Sequence, residues 1–212
     1  MTHLYLIRHG DYQIGLEDGK YVDQGLTPLG VSQAERLRAR LATGEIAAEV
    51  LLASTLPRAR QTAELLAPAL SLPVTLDAEL EEWHNEDGSL SPEEFAARAQ
   101  AIPDGQMPFF RWVPGCENWL EFSIRADTAF NRIAREYAGK TIVIVCHANI
   151  IEASLAFFLG LSGAPLQRLN VLPGHTAITH WVKEPPMPGF LSEWLLERYN
   201  DRSHLRDLAS PS

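Results

Sequence analysis

An arginine and a histidine follow directly after the first apolar run of the chain. Residues 1–7 have the length and apolar character of a buried β-strand, and Arg8 and His9 come next. A second such run, residues 141–146, stops at His147. Open α/β sheets bind their ligands at the carboxyl ends of their strands. If these two strands are parallel neighbours, both imidazoles therefore enter one pocket.

These residue types suit phosphoryl transfer, which needs a nucleophile, a cationic clamp for phosphate oxygens and a proton donor. A neutral imidazole can attack phosphorus without a separate base, so His9 is the candidate nucleophile. Arg8 and Arg58 are the candidate clamp, because guanidinium groups bind phosphate in pairs of hydrogen bonds and stay charged. Arg58 falls in the first turn of a predicted helix, where backbone N–H groups also attract anions. His147 and the amide of Ala148 complete the predicted phosphate pocket.

The proton donor is expected in the acidic pair Glu81 and Glu82. Trp83 follows them and supplies an apolar neighbour, beside which the pKa of a carboxyl can rise enough for the group to donate a proton. Both carboxyls also fit exposed turn residues. Spacing alone does not choose between the two.

Alternation of strands and helices along the chain predicts an α/β fold with a largely parallel sheet covered on both faces. Residues 11–25, rich in acids and glycines, are predicted to be a loop. The last two strands are predicted to pair as a hairpin. The predicted strands are 1–7, 49–54, 73–76, 140–146, 176–182 and 192–199, and the predicted helices are 28–41, 58–69, 118–137 and 150–159.

Residues 77–115 interrupt this alternation with several prolines, aromatic residues and one short helix that begins at Ser91. We predict a single domain over residues 1–212 with a cap-like insertion at about 77–115 over the carboxyl edge of the sheet. Its aromatic side chains fit either the core of the cap or a substrate cage, and we expect the core. They are Trp83, Phe109, Phe110 and Trp112, with Trp119 just beyond.

Composition and charge argue against several other classes of function. A chain of 212 residues that is 46% hydrophobic suits one globular domain. A net charge of −9 argues against binding to nucleic acid or to anionic lipid, although a few arginines can still form a local anion pocket. The N-terminus lacks a leader pattern, and no apolar stretch is long enough to cross a membrane.

The cysteines and the remaining histidines point to no further chemistry. Cys116 and Cys146 give no disulfide framework, which fits the cytoplasm. No metal is predicted, because the other histidines considered lack the spacing of metal ligands. They are His3, His175, His180 and His204.

The candidate site residues fall in four motifs that span nearly the whole chain. The motifs are LIRHG at 6–10, LTPLGVSQA at 26–34, STLPRARQTA at 54–63 and VCHAN at 145–149. Together they resemble the histidine phosphatase superfamily, in its phosphoglycerate-mutase-like branch. The resemblance implies a three-layer α/β/α sandwich, with a mostly parallel sheet and one antiparallel edge strand.

The same resemblance implies a phosphohistidine on His9 that water then hydrolyses. It also selects Glu82 over Glu81 as the acid, and it implies neither a metal nor an organic cofactor. The residues implied to bind the phosphate are Arg8, Gly10, Arg58, His147 and Ala148.

Two departures from the mutases favour a phosphatase. Ala148 and Asn149 follow the second histidine where many members carry two glycines, and this run is similar to that of the mitochondrial mutase-like Ser/Thr protein phosphatases. The basic residues that mutases use for the substrate carboxylate are not recognisable, and the segment after His9 is acidic.

We therefore predict a metal-independent phosphatase that acts on a small phosphorylated metabolite or a phosphoprotein. Neither nucleic acid nor membrane is an expected partner, and apolar surface in the cap also fits a homodimer interface. A cofactor-dependent phosphoglycerate mutase and a non-catalytic phosphate-binding module on the same fold are the alternatives.

Overall fold

The computed structural model describes residues 1–161, 171–185 and 194–206. Most predicted elements are present, with ends shifted by one or two residues. The strands are β1 (Thr2–Arg8), β2 (Tyr12–Glu17), β3 (Lys20–Leu26), β4 (Val50–Ala53), β5 (Val74–Leu76), β6 (Thr141–Cys146), β7 (Ile178–Lys183) and β8 (Trp194–Asp201). The helices are α1 (Pro28–Leu41), α2 (Pro57–Leu70), α3 (Pro92–Gln100), α4 (Trp119–Glu136) and α5 (Ala148–Phe158).

The main sheet has the strand order β5-β4-β6-β1-β7-β8. Strands β5, β4, β6 and β1 run parallel, while β7 is antiparallel to both of its neighbours. The mostly parallel sheet is therefore confirmed, and the antiparallel strand lies one place inside the edge. Arg8 pairs with Cys146 across β1 and β6, so His9 and His147 leave the sheet at the same level.

Helices cover both faces of this sheet, as the predicted three-layer sandwich requires. Leu4 and Leu6 of β1 share one apolar core with Phe122 and Phe130 of α4. Ile7 belongs to a second core with residues of α1 and α2. Successive side chains of a strand point to opposite faces, so β1 contributes to both cores and is buried on both sides.

Helix α1 begins as its sequence predicts. Thr27 is the N-cap, and its side chain accepts a hydrogen bond from the backbone N–H of Gly30 at 3.0 Å. Pro28 occupies the first turn, where its missing N–H costs nothing. This start fixes α1 beside the loop that carries His9.

The prediction of a loop over residues 11–25 is wrong, because β2 and β3 form an antiparallel hairpin there. The turn at Asp18 and Gly19 takes the left-handed backbone conformation that such residues favour. The hairpin pairs with no other strand among the described residues, and Ile14 and Leu16 stay exposed on it. Tyr12, Ile14 and Leu16 do alternate with polar residues or glycine, which is a strand pattern, but the acids and glycines of the segment outweigh it in the prediction.

The 77–115 segment packs its tryptophans into the core beneath α4. Trp83 and Trp112 are buried and belong to the same core as Phe122, and Trp83 meets Trp119 edge-on at 5.1 Å between ring centroids. The expectation of a core role holds for these tryptophans, whereas Phe109 is 61% exposed. The interpretation of this segment as a cap within one domain stays a prediction.

None of the helices in the described ranges has both the length and the apolar character that a membrane span requires.

Helix α1 and the loop after His9 touch through two glycines. A Cβ on Gly30 would lie 1.9 Å from the carbonyl oxygen of Asp11, and a Cβ on Gly10 would lie 2.6 Å from the carbonyl oxygen of Gly30. Both obstacles are backbone atoms, so a side chain at either position forces the helix or the loop to move.

We expect Gly30→Ala to lower the free energy of unfolding by about 1–3 kcal/mol, the usual cost of overpacking. Urea denaturation measures this change. Glu35→Ala, at an exposed position of the same helix, is the control and should stay within about 0.5 kcal/mol of wild type. An unchanged midpoint for Gly30→Ala would contradict the close contact.

Candidate active site

The carboxyl ends of β1 and β6 bring His9 and His147 together, as the sequence predicts. Their ring centroids lie 5.2 Å apart, and both residues are buried. Arg58 joins them from the first turn of α2, and its Nε donates a hydrogen bond to Nε2 of His9 at 3.1 Å. Arg8 ends β1 beside them. The predicted basic residues thus form one cluster at the edge of the sheet.

The hydrogen bonds of His9 determine which ring nitrogen carries the proton. Nδ1 lies 2.7 Å from the carbonyl oxygen of Gly10, which can only accept, so Nδ1 is the donor. Nε2 accepts from Arg58 and therefore carries the lone pair of the ring, which this hydrogen bond engages in the structure. Burial, followed by the charge of Arg58, holds the pKa of His9 well below its usual range. His9 is accordingly neutral, with a nucleophilic Nε2.

Arg58 is oriented by a carboxylate that the sequence reasoning did not assign to the site. Its Nη1 donates to Asp23 Oδ2 at 2.9 Å, and its backbone N–H lies 3.3 Å from the same oxygen. The guanidinium also stacks over the ring of Tyr12, with the carbon at 4.5 Å from the ring centroid. Asp23 therefore supplies the negative charge that the N-terminus of α2 and its arginine attract.

His147 and Arg8 each have a buried side-chain nitrogen that makes no hydrogen bond within the described residues. Nε2 of His147 lies 2.7 Å from the hydroxyl of Ser54, while its Nδ1 has no hydrogen-bond partner among the described residues. Nη1 of Arg8 donates to the carbonyl oxygen of Pro173 at 2.7 Å, and its Nε is likewise unpartnered within the described ranges. Buried polar atoms left in this way need a partner, which an anion such as phosphate can supply.

Gly10 and Ala148 contribute through their backbones. The carbonyl of Gly10 orients His9, and its N–H donates to the hydroxyl of Thr62 at 3.1 Å. Ala148 is the first residue of α5, whose N-terminal N–H groups open beside His147. Their predicted contacts to phosphate stay predictions.

The structure separates the two candidate acids. Glu81 is engaged away from the cluster, since it accepts from the hydroxyl of Thr55 and lies 2.7 Å from Nε2 of His84. Glu82 accepts hydrogen bonds from the backbone of Trp83, at 3.0 Å, and of Asn149.

Glu82 also interacts with Arg58 and Arg8, so it faces the basic cluster. Burial raises its pKa despite these positive charges. Glu82 is thus the carboxyl placed to hold and donate a proton at the site.

His175 is a further member of the cluster that sequence reasoning considered only as a metal ligand. Its ring centroid lies 5.5 Å from that of His9, and its Nδ1 is 3.7 Å from Oδ1 of Asp11. Burial lowers its pKa to about 4. His175 comes just before β7, and only the pairing of β7 with β1 brings it to this edge, so no local motif could have identified it.

The cluster opens into a cleft of about 310 Å³ that reaches Arg58 and Glu82. In the part of the chain that the structure describes, no three histidine, cysteine or acidic side chains are grouped to hold a metal ion. The arrangement combines a neutral imidazole, two guanidiniums and a carboxyl whose pKa is raised by burial. This set can bind a phosphate group, attack its phosphorus and protonate the departing oxygen.

Comparisons with known proteins agree with this geometry. A family model described as histidine phosphatase superfamily (branch 1) matches residues 4–187. The chain is 30% identical over 222 residues to 5''-phosphoribostamycin phosphatase of Niallia circulans, covering 96% of this chain and 98% of that protein. It is also 30% identical over 217 residues to a probable phosphoglycerate mutase, GpmB, of Klebsiella pneumoniae, covering 97% and 95%.

A solved structure shares the fold. It is mycobacterial glucosyl-3-phosphoglycerate phosphatase with inorganic phosphate, which aligns with a TM-score of 0.73 at 23% identity and covers 95% of this chain and 98% of that one.

The hydrogen bonds of His9 predict its protonation state in solution. We expect nitrogen NMR of the ¹⁵N-histidine-labelled protein to show His9 protonated at Nδ1 only, and still neutral at about pH 6, because burial lowers its pKa. The signal of His9 is assigned as the one that is lost in the His9→Gln variant. An imidazolium at that pH, or a proton on Nε2, would contradict the geometry described above.

Proposed function

This chain belongs to the histidine phosphatase superfamily, and from that premise we propose that it hydrolyses phosphomonoesters through a phosphohistidine formed on His9. Family membership confirms the resemblance seen in the sequence motifs. Relatives named as phosphatases support the class of phosphoric monoester hydrolases. The observation that carries the mechanism is the lone pair of His9 Nε2, directed into a buried cluster of guanidiniums.

In the first step, the substrate's phosphate binds Arg8, Arg58 and His147. A phosphate oxygen replaces Nε2 of His9 as the acceptor from Nε of Arg58, and the freed lone pair of Nε2 attacks the phosphorus. The N–P bond forms as the bond from phosphorus to the ester oxygen breaks. Protonated Glu82 donates its proton to that oxygen, which leaves as the alcohol. The guanidiniums compensate the charge on the transferring phosphoryl group.

In the second step, water attacks the phosphorus of the phosphohistidine. Glu82, now a carboxylate, accepts a proton from this water, and the N–P bond breaks. Inorganic phosphate leaves, while His9 returns to its neutral form and Glu82 to its protonated form. Neither step draws on a metal ion.

Asp23 acts as a positioning residue in this scheme. It holds Nη1 of Arg58 while Nε of the same guanidinium contacts His9, so both the clamp and the nucleophile depend on one carboxylate. The guanidinium is thereby set before the substrate arrives, which reduces the entropy lost on binding.

A phosphoglycerate mutase is the second candidate, since several relatives carry that name with the qualifier probable. A mutase returns the phosphoryl group of His9 to a bound phosphoglycerate, whereas a phosphatase passes it to water. Release of inorganic phosphate and interconversion of the two phosphoglycerates therefore distinguish the two functions. Phosphate binding without either reaction would indicate a non-catalytic module.

We propose a small phosphorylated metabolite or a phosphoprotein as the substrate. Location in the cytoplasm and assembly as a homodimer are further proposals. The acidic surface makes nucleic acid an unfavourable partner.

His9→Ala should lower phosphatase activity toward para-nitrophenyl phosphate by more than about 10³-fold, because no other group can form the intermediate. Wild-type activity should persist with a chelator present. His3→Ala, at the opposite end of the same strand, is the matched control and should stay near wild type. Acid-labile, alkali-stable phosphate trapped on wild type alone would identify the phosphohistidine, and full activity in His9→Ala would refute the mechanism.

Glu82→Gln should lower kcat for alkyl phosphates by about 10²–10³-fold, the usual contribution of a general acid. The loss should be smaller with para-nitrophenyl phosphate, whose leaving group needs no proton. In wild type, kcat/KM should fall as the pH rises through the raised pKa of Glu82, and the variant should lack this alkaline decline. Glu81→Gln is the control, and an equal loss there would contradict the assignment.

A further inference from the structure

The proposed active site continues outward into a second cavity. The inner cleft of about 310 Å³ reaches Arg58 and Glu82, and an outer cavity of about 440 Å³ adjoins it between the β2–β3 hairpin and α3. The two cavities share their central walls, so they form one groove. The shared residues are Tyr12, Ile14, Tyr21, Asn85 and Glu86.

The outer part of this groove is mainly apolar and aromatic. Leu90, Pro92 and Phe95 line it from the segment that includes α3, opposite Ile14 and Tyr21 of the hairpin. Phe95 is held flat against the ring of Trp112, at 5.1 Å between centroids and 9° between planes. Ile14 faces the groove while 56% exposed. A preformed apolar wall beside a reacting centre gains free energy when a ligand covers it.

The charges along the groove disfavour a second anion on the substrate. Of the carboxyl groups that line the inner cleft, Asp23 is paired with Arg58, Asp87 with Lys20 at 3.5 Å, and Glu82 has a raised pKa, whereas Glu86 has no ion pair among the described residues. Arg58 is the one guanidinium among the described residues that line either cavity, and His9 and Asp23 already hold it. No lysine appears among those described lining residues. A carboxylate on the leaving group would therefore meet repulsion without a cation to bind it.

We propose that the groove selects phosphomonoesters of large, ring-containing alcohols that carry no second anionic group. The phosphate lies at His9, and the ring of the leaving group lies between Ile14, Tyr21 and Phe95. This inference rests on the proposed function, and it names the substrate class of the same site.

Two matched pairs of esters test the proposal. Ethyl phosphate and 2-phenylethyl phosphate have alcohols of similar acidity, so their kcat/KM values compare binding in the groove rather than leaving-group chemistry. We expect the phenyl ester to be hydrolysed with at least about tenfold higher kcat/KM, which corresponds to about 1.4 kcal/mol. The kcat/KM for glycerol 3-phosphate should exceed that for 3-phosphoglycerate, which has a carboxylate in place of a hydroxymethyl group, by a similar factor.

A pair of variants on strand β2 tests whether the preference for the phenyl ester arises in the groove. Ile14→Asn, which adds no charge, should lower the ratio of kcat/KM for the phenyl ester to kcat/KM for ethyl phosphate to near one. Leu16→Asn is the control and should keep the wild-type ratio, since Leu16 is 64% exposed on the same strand and lines neither cavity. Both residues are exposed, so neither change disturbs the core.

If wild type hydrolyses the esters without preferring the phenyl ester, or if the two variants have equal effects, the groove assignment is wrong. The proposed function would then still stand. Absence of hydrolysis of every ester by wild type would overturn the proposed function, and the groove assignment with it.

Discussion

Parallel pairing of β1 with β6 at the centre of the sheet is the constraint on which the site depends. Each strand is buried on both faces and is followed directly by a histidine, and the register that aligns Arg8 with Cys146 also aligns those histidines. A slip of one residue would turn every side chain of the strand to the other face. The two apolar cores therefore fix the geometry of the nucleophile.

Burial produces an unusual electrostatic balance at this edge of the sheet. Guanidiniums and imidazoles share a buried pocket, so the imidazoles lose their charge and the arginines keep theirs. Asp23 compensates Arg58, while Glu82 stays protonated more readily than an exposed carboxyl. Positive charge is thereby concentrated at the proposed phosphate site, and His9 remains uncharged among these cations.

The sequence was most informative where chemistry follows directly from a strand end or a helix start. Arg8, His9, Arg58 and His147 were all predicted from such positions, because local patterns determine them. Residues supplied by distant pairing were not predictable. His175 reaches the site only through the antiparallel strand β7, and Asp23 only through a hairpin whose apolar residues stay exposed. The structure distinguishes Glu81 from Glu82 by their hydrogen-bond partners, which their adjacent positions in the sequence do not reveal.

The hairpin and the 77–115 segment meet through one backbone hydrogen bond, from the N–H of Tyr21 to the carbonyl of Gly88 at 2.8 Å. A Cβ on Gly88 would lie 2.5 Å from the carbonyl oxygen of Tyr21, so this join admits only glycine. Most groove residues lie outside the main sheet, on the hairpin and on the 77–115 segment, and several of them are exposed. Substitutions at the exposed positions leave the buried strands intact, so under the proposed function the range of accepted alcohols can diverge between descendants of this protein while the residues around His9 are retained.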